Sequence, residues 1–340
     1  MMHEAIALLT ERRDLSREQA SAAMRAIMAG EATPAQMAAF LVALRMKGET
    51  VEEIAGLAET MRAMATKVIT SRKPLVDTCG TGGDRSGTFN ISTTAAFVVA
   101  GASIAVAKHG NRSASSLCGS ADVLEALGVN VNATPEQVGR CIDDIGIGFL
   151  FARTLHSAMK HVAPVRQELK IRTVFNFLGP LTNPAGADGQ VIGVPDAALA
   201  DKLADVLTLF GTRRAFVVSG RDGLDEITLT GPTHVAESRH GSVTRYEIAP
   251  ETAGLKPAPR EALLGGDAAV NARILRDVLA GNSGPHRDIV LINAAAGILA
   301  AQDGDADWPG AVERAKQSID SGAALAKLDA LVDHSHRVAS

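Results

Sequence analysis

Aromatic residues are scarce in this chain of 340 residues. Phe, Tyr and Trp make up only 3% of it, whereas hydrophobic residues as a whole make up 46%. The core must therefore be built from Ala, Val, Leu and Ile, a composition that suits helices packed against a parallel sheet. The length allows two domains or one large α/β unit.

Cysteine is also rare, with Cys79, Cys118 and Cys141 as the three examples. An odd number without a C-x-x-C spacing argues against both a disulfide framework and a thiolate metal site. We expect each cysteine to be a small buried or half-buried apolar residue.

The chain has neither a strong net charge nor a long apolar run. A net charge of -4 gives no global electrostatic reason to bind a nucleic-acid backbone. The longest apolar segment, residues 94–107, is shorter than the roughly 20 residues of a membrane helix, and the early Glu4 argues against a signal peptide. We therefore expect a soluble cytoplasmic protein that binds neither nucleic acid nor a membrane.

Helix starts mark the first part of the chain. Ser16, Thr33 and Thr50 each precede an amphipathic run, and Glu53 completes a capping-box pattern with Thr50. These residues predict a small helical domain over residues 1–72.

From residue 73 onward, short β-branched runs alternate with helical patterns, which is typical of βαβ units. Residues 233–250 instead look like a polar antiparallel hairpin at a sheet edge. A helical pattern returns around residues 156–190 and is expected to fold back onto the N-terminal helices. The fold class is therefore α/β, with a large domain over 73–340 around a mostly parallel central sheet. The predicted strands read LVDTC, SIAVA, VNVN, GIGFLF, GQVIGV, RAFVVS and DIVLIN.

A glycine-rich stretch, GTGGDRSG, follows the first predicted strand. It is not a P-loop, because Asp84 and Arg85 stand where Lys and a hydroxyl residue are required, and Arg85 also breaks the dinucleotide pattern GxGxxG. Hydroxyl groups and Asn90 at the start of the next helix suit phosphate or ribose oxygens, but they are equally typical of helix caps. Both interpretations stay open on this segment alone.

Two further segments concentrate cations. KHGNRSASS puts Lys108 and Arg112 at the carboxyl end of a predicted parallel strand, where ligands bind in open α/β sheets; a solvated charge cluster is the alternative. Arg166 and Arg172 lie in otherwise apolar company, and the planar fork of arginine matches a substrate carboxylate. A structural ion pair, for example with Glu168, is equally consistent.

An acid pair, Asp225 and Glu226, follows a glycine turn after a later strand. Two adjacent carboxylates can share a hydrated Mg²⁺ with substrate phosphates, although most such pairs are solvated loop charge. His156 and His161 are five residues apart, which is not the four-residue spacing of a helical zinc pair. We therefore predict no histidine metal site.

In combination, these motifs resemble the anthranilate phosphoribosyltransferases, in order and over nearly the whole chain. The matching stretches are GTGGD with TFNIST, KHGNRSASS with GSAD, PVRQEL with RTVFNFLGPLTNP, and LDEI. The resemblance implies a small helical domain beside a large α/β domain, a fold shared with pyrimidine nucleoside phosphorylases, and a homodimer formed through the helical domain. It also implies that phosphoribosyl pyrophosphate (PRPP) and anthranilate react to N-(5-phosphoribosyl)anthranilate and pyrophosphate with Mg²⁺, a step of tryptophan biosynthesis.

The resemblance further implies three sets of site residues. The anthranilate-binding residues are Gly80, Asn111 and Arg166, and the Mg²⁺ positions are Ser92, Asp225 and Glu226. The donor-binding residues are Gly80, Gly83, Asp84, Thr88, Asn90, Ile91, Ser92, Thr93, Lys108, His109, Gly110, Asn111, Arg112, Ser113, Ala114, Ser115, Ser116 and Ser120.

Catalysis is expected to come from positioning and charge rather than from a general base, because the aromatic amine is already neutral at pH 7. Lys108 would neutralise charge on the leaving pyrophosphate, and Arg166 would hold the acceptor. None of the departures from the family's pattern falls on an implied ligand position. These departures are Arg85, Ser157, Lys170 and Ser219.

Two other functions are alternatives. Phosphorolysis of a pyrimidine nucleoside would use the same fold, but KHGNRSASS and the acid pair suit a pyrophosphate donor with a metal better. A non-catalytic relative that binds nucleic acid would be expected to have a basic face and to lack the acid pair, whereas this chain is acidic and contains LDEI.

Overall fold

A computed structural model describes residues 2–84, 86–113 and 117–337. Its amino-terminal domain is helical, and the predicted helix starts are confirmed, since Ser16, Thr33 and Thr50 each form a reciprocal capping box. The four helices are α1 (Met2–Thr10), α2 (Arg17–Met28), α3 (Pro34–Lys47) and α4 (Val51–Met64).

The larger domain is built on a seven-stranded sheet with the order β3-β2-β1-β4-β5-β6-β7. The first five strands pair in parallel, and β6 and β7 add the predicted antiparallel hairpin at one edge. The strands are β1 (Leu75–Gly80), β2 (Ala105–Gly110), β3 (Ile147–Phe151), β4 (Gly189–Gly193), β5 (Arg214–Gly220), β6 (Thr233–Arg239) and β7 (Ser242–Ile248).

Helices cover both faces of the sheet, because alternate residues of each strand point to opposite sides. Val218 packs in the core formed with α5 and α12 to α15, and its neighbour Val217 packs in a second core shared with α9 to α11 and the N-terminal domain. The helices are α5 (Ile91–Gly101), α6 (Ser120–Ala126), α7 (Pro135–Ile145), α8 (Ala152–Leu155), α9 (Ala163–Leu169), α10 (Phe175–Leu178), α11 (Ala197–Leu209), α12 (Ala268–Leu279), α13 (Pro285–Ala300), α14 (Trp308–Asp320) and α15 (Ala323–Ser335).

Two of the predicted strands are wrong. DIVLIN lies inside α13, where every residue from Ile289 to Ala300 is buried, so the helix has no polar face and its apolar run imitates a buried strand. VNVN forms turns between α6 and α7; Val129 and Val131 are buried there, which produces the alternation without a strand.

The segment after β3 contacts the N-terminal domain. Val162 and Val165 share a core with the N-terminal helices, and α9 packs against α3. Lys170 caps the carboxyl end of α9 with a φ of 50°, a left-handed conformation that favours glycine. None of the helices built from the described residues has both the length and the apolar character that crossing a bilayer requires.

Candidate active site

Most of the described donor and metal residues predicted from the sequence lie at or just after the carboxyl ends of the parallel strands, whereas Arg166 lies on α9. β1 ends at Gly80 and continues into the glycine loop, β2 ends at Gly110, and α5 begins after the same loop. Parallel strands place their carboxyl ends at one edge, so segments far apart in the chain meet here. The acid pair, Asp225 and Glu226, comes from the irregular segment after β5.

Two backbone N–H groups hold the acid pair. The Gly82 N–H donates to Asp225 Oδ2 at 2.6 Å, and the Ser92 N–H in the first turn of α5 donates to Glu226 Oε1 at 3.1 Å. A carboxylate at the amino end of a helix is also favoured by the helix dipole. The acid pair therefore joins the glycine loop, the start of α5 and the segment after β5.

Close backbone approach requires glycine at the ends of β1 and β4. A Cβ atom on Gly193 would lie 1.6 Å from the Asp225 carbonyl oxygen, and one on Gly80 would lie 2.5 Å from Asp225 Oδ2. Both distances are far below van der Waals contact, so a side chain at either position would displace the acid pair.

Burial makes the acid pair unfavourable in its charged form. Desolvation, together with the nearby Asp84 carboxylate, raises the pKa of Asp225 well above its ordinary value. Desolvation also raises the pKa of Glu226 to about 7, although the charge of Lys108 opposes this. Asp84 Oδ2 is itself buried and has no hydrogen-bond partner among the described residues. A cation at this place would relieve all three carboxylates.

The oxygen atoms present suit a hard divalent cation. Mg²⁺ commonly takes one or two carboxylates together with substrate phosphates, and the implied ligands Ser92, Asp225 and Glu226 offer two carboxylates and a hydroxyl group. Within the described residues, no three or more His, Cys, Asp or Glu side chains are grouped so that they could hold a metal ion. The site thus fits a cation that a bound phosphate helps to hold, rather than a cage made of protein ligands alone.

Lys108 is buried beside the acid pair. It is only 4% exposed, and its ammonium group donates to the Thr78 carbonyl oxygen of β1. Burial raises the pKa of Asp77 and of Glu226, and the positive charge of Lys108 opposes this rise. The alternative of a solvated charge cluster is therefore wrong for this residue, which compensates buried carboxylates.

The loop after β2 is held by its own contacts. The Arg112 guanidinium donates to Asp122 at 2.8 Å and to Glu125 at 2.9 Å, so this implied donor ligand already has carboxylate partners on α6. The Ser120 hydroxyl donates to the Asn111 carbonyl oxygen and accepts the Asn111 N–H, both at 3.1 Å. Gly110, Asn111 and Ser113 belong to the described part of this loop, whereas Ala114, Ser115, Ser116 and the earlier Arg85 lie outside the described residues.

Asn90 does not cap α5, which decides against the cap interpretation for its side chain. Its Nδ2 donates to the Cys118 carbonyl oxygen at 3.2 Å, and its Oδ1 accepts from Asn271 at 3.0 Å. Asn90 thus connects the first donor segment with the second. The other implied donor residues here are Thr88, whose hydroxyl group pairs with that of Ser86, and the buried Ile91 and Thr93.

Arg166 on α9 forms no ion pair with a carboxylate among the described residues, so the expected alternative with Glu168 does not occur there. Its guanidinium lies 5.5 Å from the centroid of the Phe175 ring, and burial lowers its pKa. A half-buried guanidinium without a carboxylate partner is well suited to bind the acid group of a ligand.

Arg172 is engaged with the glycine loop instead. Its guanidinium donates to the carbonyl oxygens of Gly83 at 2.9 Å and Gly82 at 3.1 Å. Arg45 of α3 donates to the backbone carbonyl of Arg172, which links the N-terminal domain to the loop. Of the two arginines considered for a substrate acid, Arg166 is therefore the better candidate.

Two histidines meet at the same edge, a pairing that the sequence analysis missed. The ring centroids of His109 and His156 are 5.2 Å apart. His109 Nε2 and both ring nitrogens of His156 are buried without a hydrogen-bond partner in the described part of the chain. Burial lowers their pKa to about 3 and about 4, so both rings are neutral at pH 7. Spacing rules for zinc cannot reveal two histidines on separate elements.

Asp77 and Asn183 are a second omission. Asp77 Oδ1 accepts the His109 backbone N–H at 3.0 Å, and its Oδ2 accepts from Asn183 Nδ2 at 2.8 Å. Burial raises the pKa of Asp77, and the charge of Lys108 opposes this. The sequence did contain a signal for this contact: Asp77 is the single acid inside the apolar strand LVDTC, and a buried carboxylate needs hydrogen-bond partners.

Two family models match the chain. The model described as "Glycosyl transferase family, helical bundle domain" matches residues 3–65, and "Glycosyl transferase family, a/b domain" matches residues 72–325. Together they cover the N-terminal helices and the sheet with its helices.

Similarity to known proteins leads to the same family. The chain is 58% identical over 330 residues to the anthranilate phosphoribosyltransferase of Symbiobacterium thermophilum, which covers 97% of this chain and 96% of the relative. The structure of the anthranilate phosphoribosyltransferase from Thermus thermophilus superimposes with a TM-score of 0.93 at 47% identity, over 98% of this chain and 99% of that one. That of Saccharomyces cerevisiae in complex with PRPP and Mg gives a TM-score of 0.90 at 28% identity, over 98% and 97%. The chain therefore belongs to the anthranilate phosphoribosyltransferase family.

Proposed function

We propose that this chain transfers the 5-phosphoribosyl group of PRPP to the amine of anthranilate. The bond between ribose C1 and the pyrophosphate oxygen breaks, a bond between C1 and the amine nitrogen forms, and one amine proton is released. The observation that carries the proposal is the buried acid pair, held by the N–H groups of Gly82 and Ser92 at the edge where the glycine loop begins. Two buried carboxylates need a positive charge to compensate them. A pyrophosphate donor binds together with Mg²⁺, which would supply that charge.

The donor's phosphates would lie against backbone N–H groups of the glycine loop and of the first turn of α5 other than those of Gly82 and Ser92, which already donate to the acid pair. Backbone amides in a glycine-rich loop and at a helix start favour anions. The carbonyl oxygens of Gly82 and Gly83 accept hydrogen bonds from the Arg172 guanidinium, which holds this part of the loop in place. Asn90 and the residues after Lys108 would complete the donor site, as the family resemblance implies.

Ser92, Asp225 and Glu226 would hold Mg²⁺, as the family resemblance implies. The yeast relative solved with PRPP and Mg supports the use of Mg²⁺ but does not name its ligands in this chain. When bound, Mg²⁺ neutralises negative charge on the leaving pyrophosphate. The chain's own contribution is a pair of fixed carboxylates in a buried place, where electrostatic interactions are stronger than in water. The charge of the buried Lys108 opposes the rise in the pKa of Glu226, and Lys108 would also neutralise charge on the leaving pyrophosphate.

The acceptor would be held by Arg166 through its carboxylate, with Gly80 and Asn111 nearby, as the resemblance implies. The yeast relative has also been solved in complex with 4-fluoroanthranilate. Neutral His109 and His156 offer ring nitrogens that can donate or accept without adding charge. Arg166, Gly80 and Asn111 would orient the amine toward C1, and positioning of this kind supplies much of the catalysis.

Neither alternative function is favoured. Nucleoside phosphorolysis gives no use to a buried acid pair, and a nucleic-acid backbone would be repelled by it. The homodimer through the helical domain and the cytoplasmic location stay predictions.

The first prediction concerns activity and metal. Anthranilate fluorescence should fall when the protein is mixed with PRPP and Mg²⁺, and EDTA should prevent this. Asp225→Asn combined with Glu226→Gln should lower the initial rate about 100-fold or more at every Mg²⁺ concentration, because both fixed carboxylates are removed.

The matched control is Asp303→Asn with Asp305→Asn, which removes two carboxylates from exposed pairs with Arg213 and Arg239. Exposed pairs contribute little, so this variant should keep the wild-type rate. An unchanged Mg²⁺ titration in the Asp225 and Glu226 variant would refute the metal assignment.

The second prediction concerns the acceptor. Arg166→Ala should raise the KM for anthranilate about 10- to 100-fold, because a charge-assisted hydrogen bond is lost, and should change the KM for PRPP little. Arg166→Lys should recover only part of the loss, since lysine lacks the planar fork. Steady-state kinetics with each substrate varied in turn, and the exposed Arg140→Ala as control, test this. Equal increases in both KM values would remove the assigned role.

The third prediction concerns pH and stability. The pKa of His156 is about 4 in the folded chain and 6.5 as a reference, so between these values only the unfolded chain binds the proton. Stability is therefore lost as the pH falls below 6.5, by about 1 kcal/mol between pH 7.5 and 5.5 from this residue. His156→Gln should abolish that part of the loss in urea unfolding, and exposed His3→Gln should not. Equal pH dependence in wild type and His156→Gln would contradict the buried neutral ring.

A further inference from the structure

The acid pair lies in a segment without regular secondary structure. Residues 221–232, between β5 and β6, form turns and irregular backbone, yet Ile227 in this segment is fully buried. Its backbone N–H and C=O therefore cannot use a helix or a sheet ladder. Buried backbone groups without partners are costly, so other groups must satisfy them.

Asn293 of α13 satisfies both groups. Its Oδ1 accepts the Ile227 N–H at 2.9 Å, and its Nδ2 donates to the Ile227 carbonyl oxygen at 2.9 Å. The same Nδ2 also donates to the Ile289 carbonyl oxygen at 2.8 Å, which ties the amide to its own helix. Asn293 is 2% exposed, so water does not compete for these bonds.

We propose that Asn293 is a positioning residue that fixes the acid pair for its cation. Ile227 directly follows Glu226, so holding both polar groups of Ile227 holds the backbone from which the carboxylates project. On the amino-terminal side of the acid pair, the Asp222 carboxylate accepts the Leu224 N–H at 3.2 Å. Both residues belong to the irregular segment, so this bond does not attach the segment to the rest of the fold. Asn293 anchors the segment to the helical layer behind the sheet.

This inference deepens the proposed function and rests on it, because it gives Asn293 a role toward the proposed Mg²⁺ site. Residues that orient metal ligands typically change metal affinity 10- to 100-fold when they are removed. A purely structural amide would instead lower stability and leave metal affinity unchanged.

Direct binding of Mn²⁺ separates the two roles without turnover. Free Mn²⁺ is measured by its EPR signal in the presence of PRPP, without anthranilate, against a sample that lacks protein. Asn293→Ala should raise the dissociation constant of protein-bound Mn²⁺ about tenfold or more. In kinetics, the Mg²⁺ concentration for half-maximal rate should rise by a similar factor, whereas the rate at saturating Mg²⁺ and the KM for anthranilate should change little.

Ser318→Ala is the matched control. Ser318 is buried on α14 and donates to the Val98 carbonyl oxygen of α5 at 2.7 Å, away from the acid pair. Loss of the Ser318 hydroxyl group should lower the melting temperature, as Asn293→Ala is also expected to do, but Mn²⁺ binding should stay unchanged. If Asn293→Ala does not fold, Asn293→Ser replaces it in the same Mn²⁺ measurement: a weakened Mn²⁺ affinity supports the proposal, and an affinity equal to that of wild type overturns it.

The Asp225→Asn, Glu226→Gln variant tells the two possible failures apart. If this variant binds Mn²⁺ as tightly as wild type, the proposed metal site is wrong and the role of Asn293 falls with it. If it loses Mn²⁺ but Asn293→Ala binds as wild type does, the metal site stands and only the inference about Asn293 is overturned.

Discussion

The backbone of Asp225 crosses the end of the sheet so closely that only glycine fits opposite it. A Cβ on Gly193 would overlap the Asp225 carbonyl group, and one on Gly80 would overlap its carboxylate. This crossing brings the acid pair to the carboxyl edge of the parallel strands, within hydrogen-bonding distance of the glycine loop and of α5. The rest of the site is arranged around that contact.

The crossing has an electrostatic consequence. It buries two carboxylates near a third, Asp84, which raises the pKa of Asp225 and of Glu226. Lys108 offsets part of this and is held by β1, so its position does not depend on a ligand. The charged form of this site is unfavourable by itself, and in the proposed function a cation and an anionic donor that bind together would relieve it. Perturbed pKa values of this kind are typical of functional sites.

Local patterns predicted most of the fold, because helix caps and the alternation of strand and helix patterns depend on neighbouring residues, and that alternation is typical of a parallel sheet. DIVLIN failed because a fully buried helix has no polar face, so length rather than periodicity had to decide. The acid pair and Arg166 stood out in the sequence, and the family resemblance supplied their implied roles. The partners of Arg172, His156 and Asn293, in contrast, lie far away in the chain. Contacts of that sort depend on how the elements pack, and one sequence does not contain a local signal for them.

The most direct test of the account is a crystal structure of this protein with PRPP and Mn²⁺, in which anomalous scattering locates the metal. The account predicts a metal peak within coordination distance of the Asp225 or Glu226 carboxylate, with the pyrophosphate against the glycine loop and the start of α5. A peak held by other side chains, or a donor bound away from that loop, would contradict it.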